Sequence, residues 1–233
     1  MTSFNRPNDL DQALALLAES PRVIVAGGTD YYPAHVGRPL DDDVLDVTAL
    51  DALRSIDVAD DHVRIGALAT WTDVFETVLP RCFDGLERAA REVGGVQIQN
   101  AGTVVGNVCN ASPAADGTPC LLTLDAEIEL ASVDGERTVR LSEFVIGNRR
   151  TVRRPNEMVT AIRIPLLGNG ARSTFIKLGA RRYLVISIVS VAAGSAHAPR
   201  YVRGPLVERE PSFLETAIQF DLRRLLERAE APL

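Results

Sequence analysis

A chain of 233 residues holds one sizeable domain or two small ones and can bury a real core. Its apolar fraction of 46% and charged fraction of 24% are those of an ordinary soluble protein, and a formal charge of −6 leaves no basic field for nucleic acid. No apolar run approaches the roughly 20 residues of a membrane-spanning helix, and Met1 to Pro7 lacks the apolar centre of a signal peptide, so a cytoplasmic protein without a membrane partner is expected.

Taken in order, Asn8 is a candidate N-cap for a helix carrying Leu10, Ala13, Leu14 and Leu17 to about Ala18, stopped by Ser20-Pro21. Arg22 to Ala26 is a short β-branched run that delivers Gly27-Gly28. Tyr31 to Val36 suits a short helix and Val44 to Val47 a second strand. A new unit begins near Leu53. Arg54 to Val58 and His62 to Gly66 form a hairpin pattern, and Thr70 or Thr72 caps a helix with Val74, Val78 and Leu79 that closes at Pro80. Leu86 to Val93 is amphipathic and ends at Gly94-Gly95. Residues 96–120 are poor in charge and rich in Gly, Asn, Thr and Ser without an apolar stripe, which predicts loop and turn structure up to a short helix at Cys120 to Leu124. Ala126 to Ala131 alternates, and Asp134-Gly135 joins it to Thr138 to Leu141 as a hairpin. Val159 to Ile164, Ser173 to Leu178 and Tyr183 to Val191 read as strands. From Gly194 to Glu210 the pattern is that of a linker, and Phe213 to Leu226 sketches a terminal amphipathic helix.

Two stretches carry candidate chemistry. In Val25-Ala26-Gly27-Gly28-Thr29-Asp30, consecutive glycines after a strand permit positive φ and bring bare backbone to an anion. In the second, Gly102, Thr103, Gly106, Asn107, Asn110 and Ser112 offer donors suited to a diphosphate, and Asp116 suits a ribose hydroxyl or an adenine donor. The first, Val25 to Asp30, is neither a Walker A loop nor a GxGxxG fingerprint. On residues alone, a dinucleotide cradle and a self-satisfied structural loop stay open. His35, His62 and His197 lack partners at motif spacing. Asp41-Asp42-Asp43 lacks the EF-hand pattern and suits a solvated turn, and Trp71 suits the core. Three cysteines without CxxC spacing (Cys82, Cys109, Cys120) indicate neither a disulfide framework nor a metal site.

The two stretches in this order resemble the FAD-binding (medium) subunit of the xanthine dehydrogenase and molybdenum hydroxylase family, which includes carbon monoxide dehydrogenase medium subunits. Phe4 to Pro7, Ile65 to Ala67, Gln99 to Asn107, Asn110 to Asp116, Gly147 to Thr151, Ile162 to Pro165, Phe175 to Leu178 and Ile186 to Val189 extend the match to roughly residues 4–192. The resemblance implies an α+β, two-subdomain FAD-binding fold of the vanillyl-alcohol oxidase or PCMH type, with a small subdomain at 1–53, a larger one at 54–180 and a divergent segment at 181–233. It implies FAD held by Val25, Ala26, Gly27, Gly28, Thr29, Asp30, Gly102, Thr103, Gly106, Asn107, Asn110, Ala115, Asp116, Val159 and Lys177. No catalytic side chain is implied, because the flavin carries the redox chemistry. Molybdenum cofactor and [2Fe–2S] clusters are expected on a large and a small partner subunit, with electrons passing through FAD to NAD⁺ or another acceptor. Two departures stand out. Val105 occupies a usual glycine position, where its Cβ would crowd the cofactor unless φ is negative, and the resemblance stops near Ala193. A cofactor-free structural remnant and a free-standing flavin reductase or oxidase are the alternatives.

Overall fold

The computed structural model describes residues 2–168, 170–179, 187, 189–195 and 199–203. The expected terminal helix at 213–226, His197 and most of the segment 181–188 lie outside them.

The N-terminal unit comprises β1 (Phe4–Asn5), α1 (Leu10–Glu19), β2 (Val23–Val25), α2 (Tyr31–Ala34) and β3 (Val44–Asp46), with the strands parallel in the order β1-β3-β2. Ala13, Leu14 and Leu17, at helical spacing, are the buried stripe of α1. The N-cap is Asp9 rather than Asn8, because the Asp9 carboxylate accepts the Gln12 N–H at 2.8 Å. Parallel strands need a crossover between them, and the β2–β3 connection begins with the first glycine pair.

The larger unit follows with β4 (Ile56–Val58), β5 (His62–Gly66), α3 (Trp71–Glu76), α4 (Asp84–Glu92), α5 (Val96–Ala101), α6 (Val104–Asn110), α7 (Gly117–Thr123), β6 (Glu127–Ser132), β7 (Gly135–Arg140), α8 (Leu141–Phe144), β8 (Val145–Gly147), β9 (Arg150–Thr151) and β10 (Met158–Pro165). Its antiparallel sheet runs β4-β5-β10-β6-β7. The central strand β10 is buried along nearly its whole length, which is why Met158 to Ile164 reads as an apolar run, whereas its neighbour β6 alternates more. A further sheet, also antiparallel, of β11 (Arg172–Leu178), β12 (Val189–Ser195) and β13 (Pro199–Arg203) packs on α4 and α7. The core gathers Leu17, Leu45, Ile65, Leu68, Trp71, Phe83, Leu86, Leu121 and Phe144.

Three expectations are corrected. Residues 96–120 form α5, α6 and the start of α7 rather than loop, since short helices need only a cap and one buried side (Val104, Val105 and Val108 in α6) when tertiary packing stabilises them. Helix α3 stops at Glu76, four residues short of Pro80. Thr77 turns extended and bonds its hydroxyl back to the Asp73 carbonyl, which leaves Val78 93% exposed. The predicted linker after Gly194 instead contributes the end of β12 and all of β13. There the ladders of β12 to β11 and of β13 to β12 supply order that local composition does not show.

One charged clamp closes the β6–β10 region. Arg137 donates to both Glu157 carboxylate oxygens at 2.6 and 2.9 Å, and the Arg154 N–H adds a bond at 2.7 Å. The Arg137 hydrogen bond is the main cause of a Glu157 pKa below the usual glutamate range. A depressed carboxylate contributes stability that is complete above its unfolded pKa and disappears as pH falls through the folded one. Glu157→Gln is therefore expected to cost about 1.5–3 kcal/mol at neutral pH. In urea titrations the gap to wild type should shrink as pH falls below the ordinary glutamate range. A pH-independent gap would remove the electrostatic account.

Candidate functional site

Strand β2 ends at the buried Val25 and releases Ala26 to Asp30 at its carboxyl end, where parallel strands place ligand-binding loops. Gly28 takes φ +64°. Gly27 lies against the end of α5 so closely that a Cβ there would sit 1.7 Å from the Ala101 carbonyl oxygen. On the other side, a Cβ at Gly102 would lie 3.3 Å from Thr29 Oγ1. The two glycine stretches, 70-odd residues apart in sequence, thus form one cradle with backbone against backbone. The N–H groups of Gly27, Gly28 and Thr29 have no hydrogen-bond partner among the described residues.

The second wall is fixed from behind. Trp71 N–H donates to the Gly102 carbonyl at 3.1 Å, and Val104 N–H to the Ala69 carbonyl at 3.1 Å. The Trp71 indole is fully buried between Gly102 and Gly117. Thr103 caps α6, its hydroxyl accepting the Gly106 N–H at 2.9 Å. Gly106 is exposed on the first turn, where a Cβ would meet only Thr103. Val105 is 5% exposed and belongs to the hydrophobic core, and its φ is not positive. Its side chain therefore points away from the cradle, and the feared crowding does not arise. Next to it, Asn107 Oδ1 is buried with no hydrogen-bond partner among the described residues.

A third wall was missed from sequence. The β8–β9 hairpin turns at Arg149, a non-glycine residue at φ +57°, whose N–H donates to the carbonyl of Ala111 (φ +47°) at 2.9 Å. Its guanidinium reaches Asp30 Oδ2 at 2.7 Å and also bonds Asn110 Oδ1. The signal was present in Gly147 to Thr151, but with no residue role attached.

Behind the cradle, Asp116 and Lys177 are each other's partner. Lys177 Nζ lies 2.6 Å from Asp116 Oδ2, at side-chain exposures of 5% and 8%, and also donates to the Glu92 carbonyl at 3.1 Å. Ser187 bonds the other Asp116 oxygen. Ala115 is buried beside this pair in sequence, and Val159 is buried on β10, against which α6 packs. Burial raises the Glu92 carboxyl pKa. It also pushes the Cys109 thiol up to about 11 and the Cys120 thiol well above its ordinary value, so both are protonated and poor nucleophiles at neutral pH.

The other candidates take structural places. His35 is the C-cap of α2 and pairs with the Tyr31 carbonyl and Asp42. His62 bonds Asp61, and Asp43 accepts from Ser3. Among the described residues no group of three or more His, Cys, Asp or Glu is placed to hold a metal ion.

Chemically the cradle offers unpaired N–H donors to an anion, an orphaned buried carbonyl oxygen to a hydroxyl or N–H donor, and a carboxylate with lone pairs to spare. A dinucleotide carries all three complements, so the residues present fit FAD.

Residues 1–167 match the family described as the FAD binding domain in molybdopterin dehydrogenase. The chain is 36% identical over 194 residues to the nicotinate dehydrogenase FAD-subunit of Eubacterium barkeri, covering 80% of this chain and 66% of that protein. It is 32% identical over 196 residues to a putative xanthine dehydrogenase FAD-binding subunit of Escherichia coli, covering 82% and 67%. A chain of the carbon monoxide dehydrogenase from Hydrogenophaga pseudoflava has the same fold, with a TM-score of 0.77 at 24% identity over 87% of this chain and 74% of that one. The chain thus spans about two thirds of the length of these curated relatives.

Proposed function

The chain belongs to the family of FAD-binding domains of molybdopterin dehydrogenases, and from that premise we propose that it is the FAD-carrying subunit of a molybdenum hydroxylase-type dehydrogenase. The observation that carries this reading is the joined cradle: Gly27 against the Ala101 carbonyl, with three N–H groups and the Asn107 Oδ1 unpaired among the described residues.

In this reading the backbone of Ala26 to Asp30 and of Gly102 to Gly106 receives the diphosphate. Asn107 Oδ1 accepts a hydroxyl or N–H, and Asn110 lines the far edge. Asp116, held in place by Lys177 and Ser187, accepts a ribose or ribityl hydroxyl. Ala115 and Val159 supply apolar wall, and Thr29 and Thr103 add hydroxyls. FAD supplies the two-electron redox chemistry when bound, and the chain's own task is to hold it and to keep water from its buried side. The units 1–53 and 54–180 act as the two subdomains of a vanillyl-alcohol oxidase-type fold, with 181–233 as a divergent segment. A large molybdopterin-binding subunit and a small [2Fe–2S] subunit deliver electrons, and NAD⁺ or another acceptor takes them. The burial of Val105 removes one of the two features that favour a cofactor-free remnant, the other being the end of the resemblance near Ala193.

Purified chain is expected to be yellow, with the flavin absorption band and FAD released stoichiometrically on denaturation. Colourless protein that takes up no added FAD would sink the proposal.

A further inference from the structure

We propose that Arg149 is a positioning residue whose guanidinium neutralises Asp30, so that a cradle bearing an acid at its mouth can accept the diphosphate of a dinucleotide. The inference rests on the FAD reading above.

The geometry singles out this arginine. It sits at the tip of the β8–β9 hairpin, joined to the Ala111 carbonyl by its own N–H, and both residues adopt left-handed backbone without being glycine. Such conformations persist where surrounding structure over-determines them, and they gather at ligand clamps. From that tip the side chain spans both walls, bonding Asp30 of the first stretch, 119 residues away, and Asn110 of the second, 39 residues away.

Stability is a poor explanation for this bridge. Both members of the Arg149–Asp30 pair are more than half exposed, and exposed ion pairs contribute little to folding. Charge placement explains it better. Asp30 follows directly on the unpaired N–H groups of Gly27, Gly28 and Thr29. An uncompensated carboxylate on the residue that follows those donors would oppose a dianionic ligand, and at separations inside a Debye length screening by salt is incomplete. Arg149 cancels that charge while leaving the N–H donors free. Helix α2, which starts beyond Asp30, has only 4 residues and no hydrogen bond from the Asp30 side chain to its N-terminus, so the carboxylate is not serving as a cap.

The test measures FAD dissociation constants of the full chain by flavin fluorescence at low and high salt, for wild type, Arg149→Gln, Asp30→Asn and the double variant. Arg149→Gln is expected to weaken FAD binding about tenfold at low salt, the scale of one lost charge-assisted contact, with the gap narrowing as salt rises. Asp30→Asn keeps the backbone that receives the diphosphate and removes only the side-chain charge, so it should bind FAD more tightly than wild type at low salt, and the double variant should regain most of the affinity lost in Arg149→Gln. A bridge acting only as a structural brace gains nothing from Asp30→Asn, whose amide oxygen can still accept from Arg149, and the double variant then binds FAD no better than Arg149→Gln. No gain in Asp30→Asn, or no recovery in the double variant, therefore overturns the proposal, as does unchanged binding in Arg149→Gln. Should Arg149→Gln fold poorly in circular dichroism, Asp30→Asn still decides. Wild-type chain that binds no FAD would instead refute the cofactor reading itself.

Discussion

Gly27→Ala is expected to produce a chain that has lost its affinity for FAD and unfolds at lower urea. The added Cβ would lie 1.7 Å from the Ala101 carbonyl oxygen and 2.5 Å from its carbon. Both are backbone atoms, so no rotamer change relieves the clash, and the two walls must part by more than an ångström. Overpacking of this kind typically costs about 1–3 kcal/mol of stability. Binding suffers more than folding, because the displacement opens the very gap in which the unpaired N–H groups must converge. Two other glycines calibrate the result. At Gly28 a side chain meets φ +64° and the Tyr32 ring at 2.4 Å, but a ring can swing away, so Gly28→Ala should be milder than Gly27→Ala. At Gly37, φ is +76° with open space around it, so Gly37→Ala should cost only the roughly 1–2 kcal/mol of left-handed backbone and keep its flavin. FAD content on purification, titration with added FAD and urea midpoints check all three. Wild-type flavin affinity in Gly27→Ala would show that the two glycine stretches do not form the cradle.

Local patterns carried much of the fold. The alternation of Ala126 to Ala131, the Asp134-Gly135 turn and the β-branched run before Gly27 each appear as strands or turns within a residue or two of expectation. Such elements are legible because turn chemistry and side-chain period act over a few positions. Where tertiary contacts decide, local patterns do not show the element. Helices α5 and α6 show no apolar stripe long enough to recognise, yet Thr103 caps one of them and Val104, Val105 and Val108 bury its side. Strand β13 owes its order to β12, a partner whose identity no local window reveals. The site divides along the same line. Both glycine stretches could be named from composition, but that Gly27 touches Ala101, and that Arg149 spans the walls, depends on chain separations that spacing cannot encode. Val105 is the instructive reversal. As a letter it stood in the cofactor's way, and as a side chain it fills the core.

Lys177→Met should be the most destabilising single substitution behind the cradle, although it keeps an apolar stem of similar length. With both side chains nearly inaccessible, the 2.6 Å contact is a buried ion pair. Removing one partner of such a pair strands the other and costs about 3–5 kcal/mol. For a chain of this size that corresponds to a melting temperature lower by roughly 10 °C. Among the described residues Asp116 would keep only the Ser187 hydroxyl, and the nearby Glu92 carboxyl, already disfavoured as an anion by burial, would lose the ammonium that offsets it. Adding Asp116→Asn removes the stranded charge while its amide oxygen can still accept from Ser187, so the double variant should recover most of the loss. These melts belong on flavin-free protein, where ligand linkage makes no contribution. Repeating them with excess FAD then isolates the second role of Asp116. If its carboxylate accepts a cofactor hydroxyl, FAD raises the melting temperature of wild type more than that of the double variant. Equal increments would confine the Asp116–Lys177 pair to holding β11 against α7, and would place the cofactor's hydroxyl contacts on Asn107 instead.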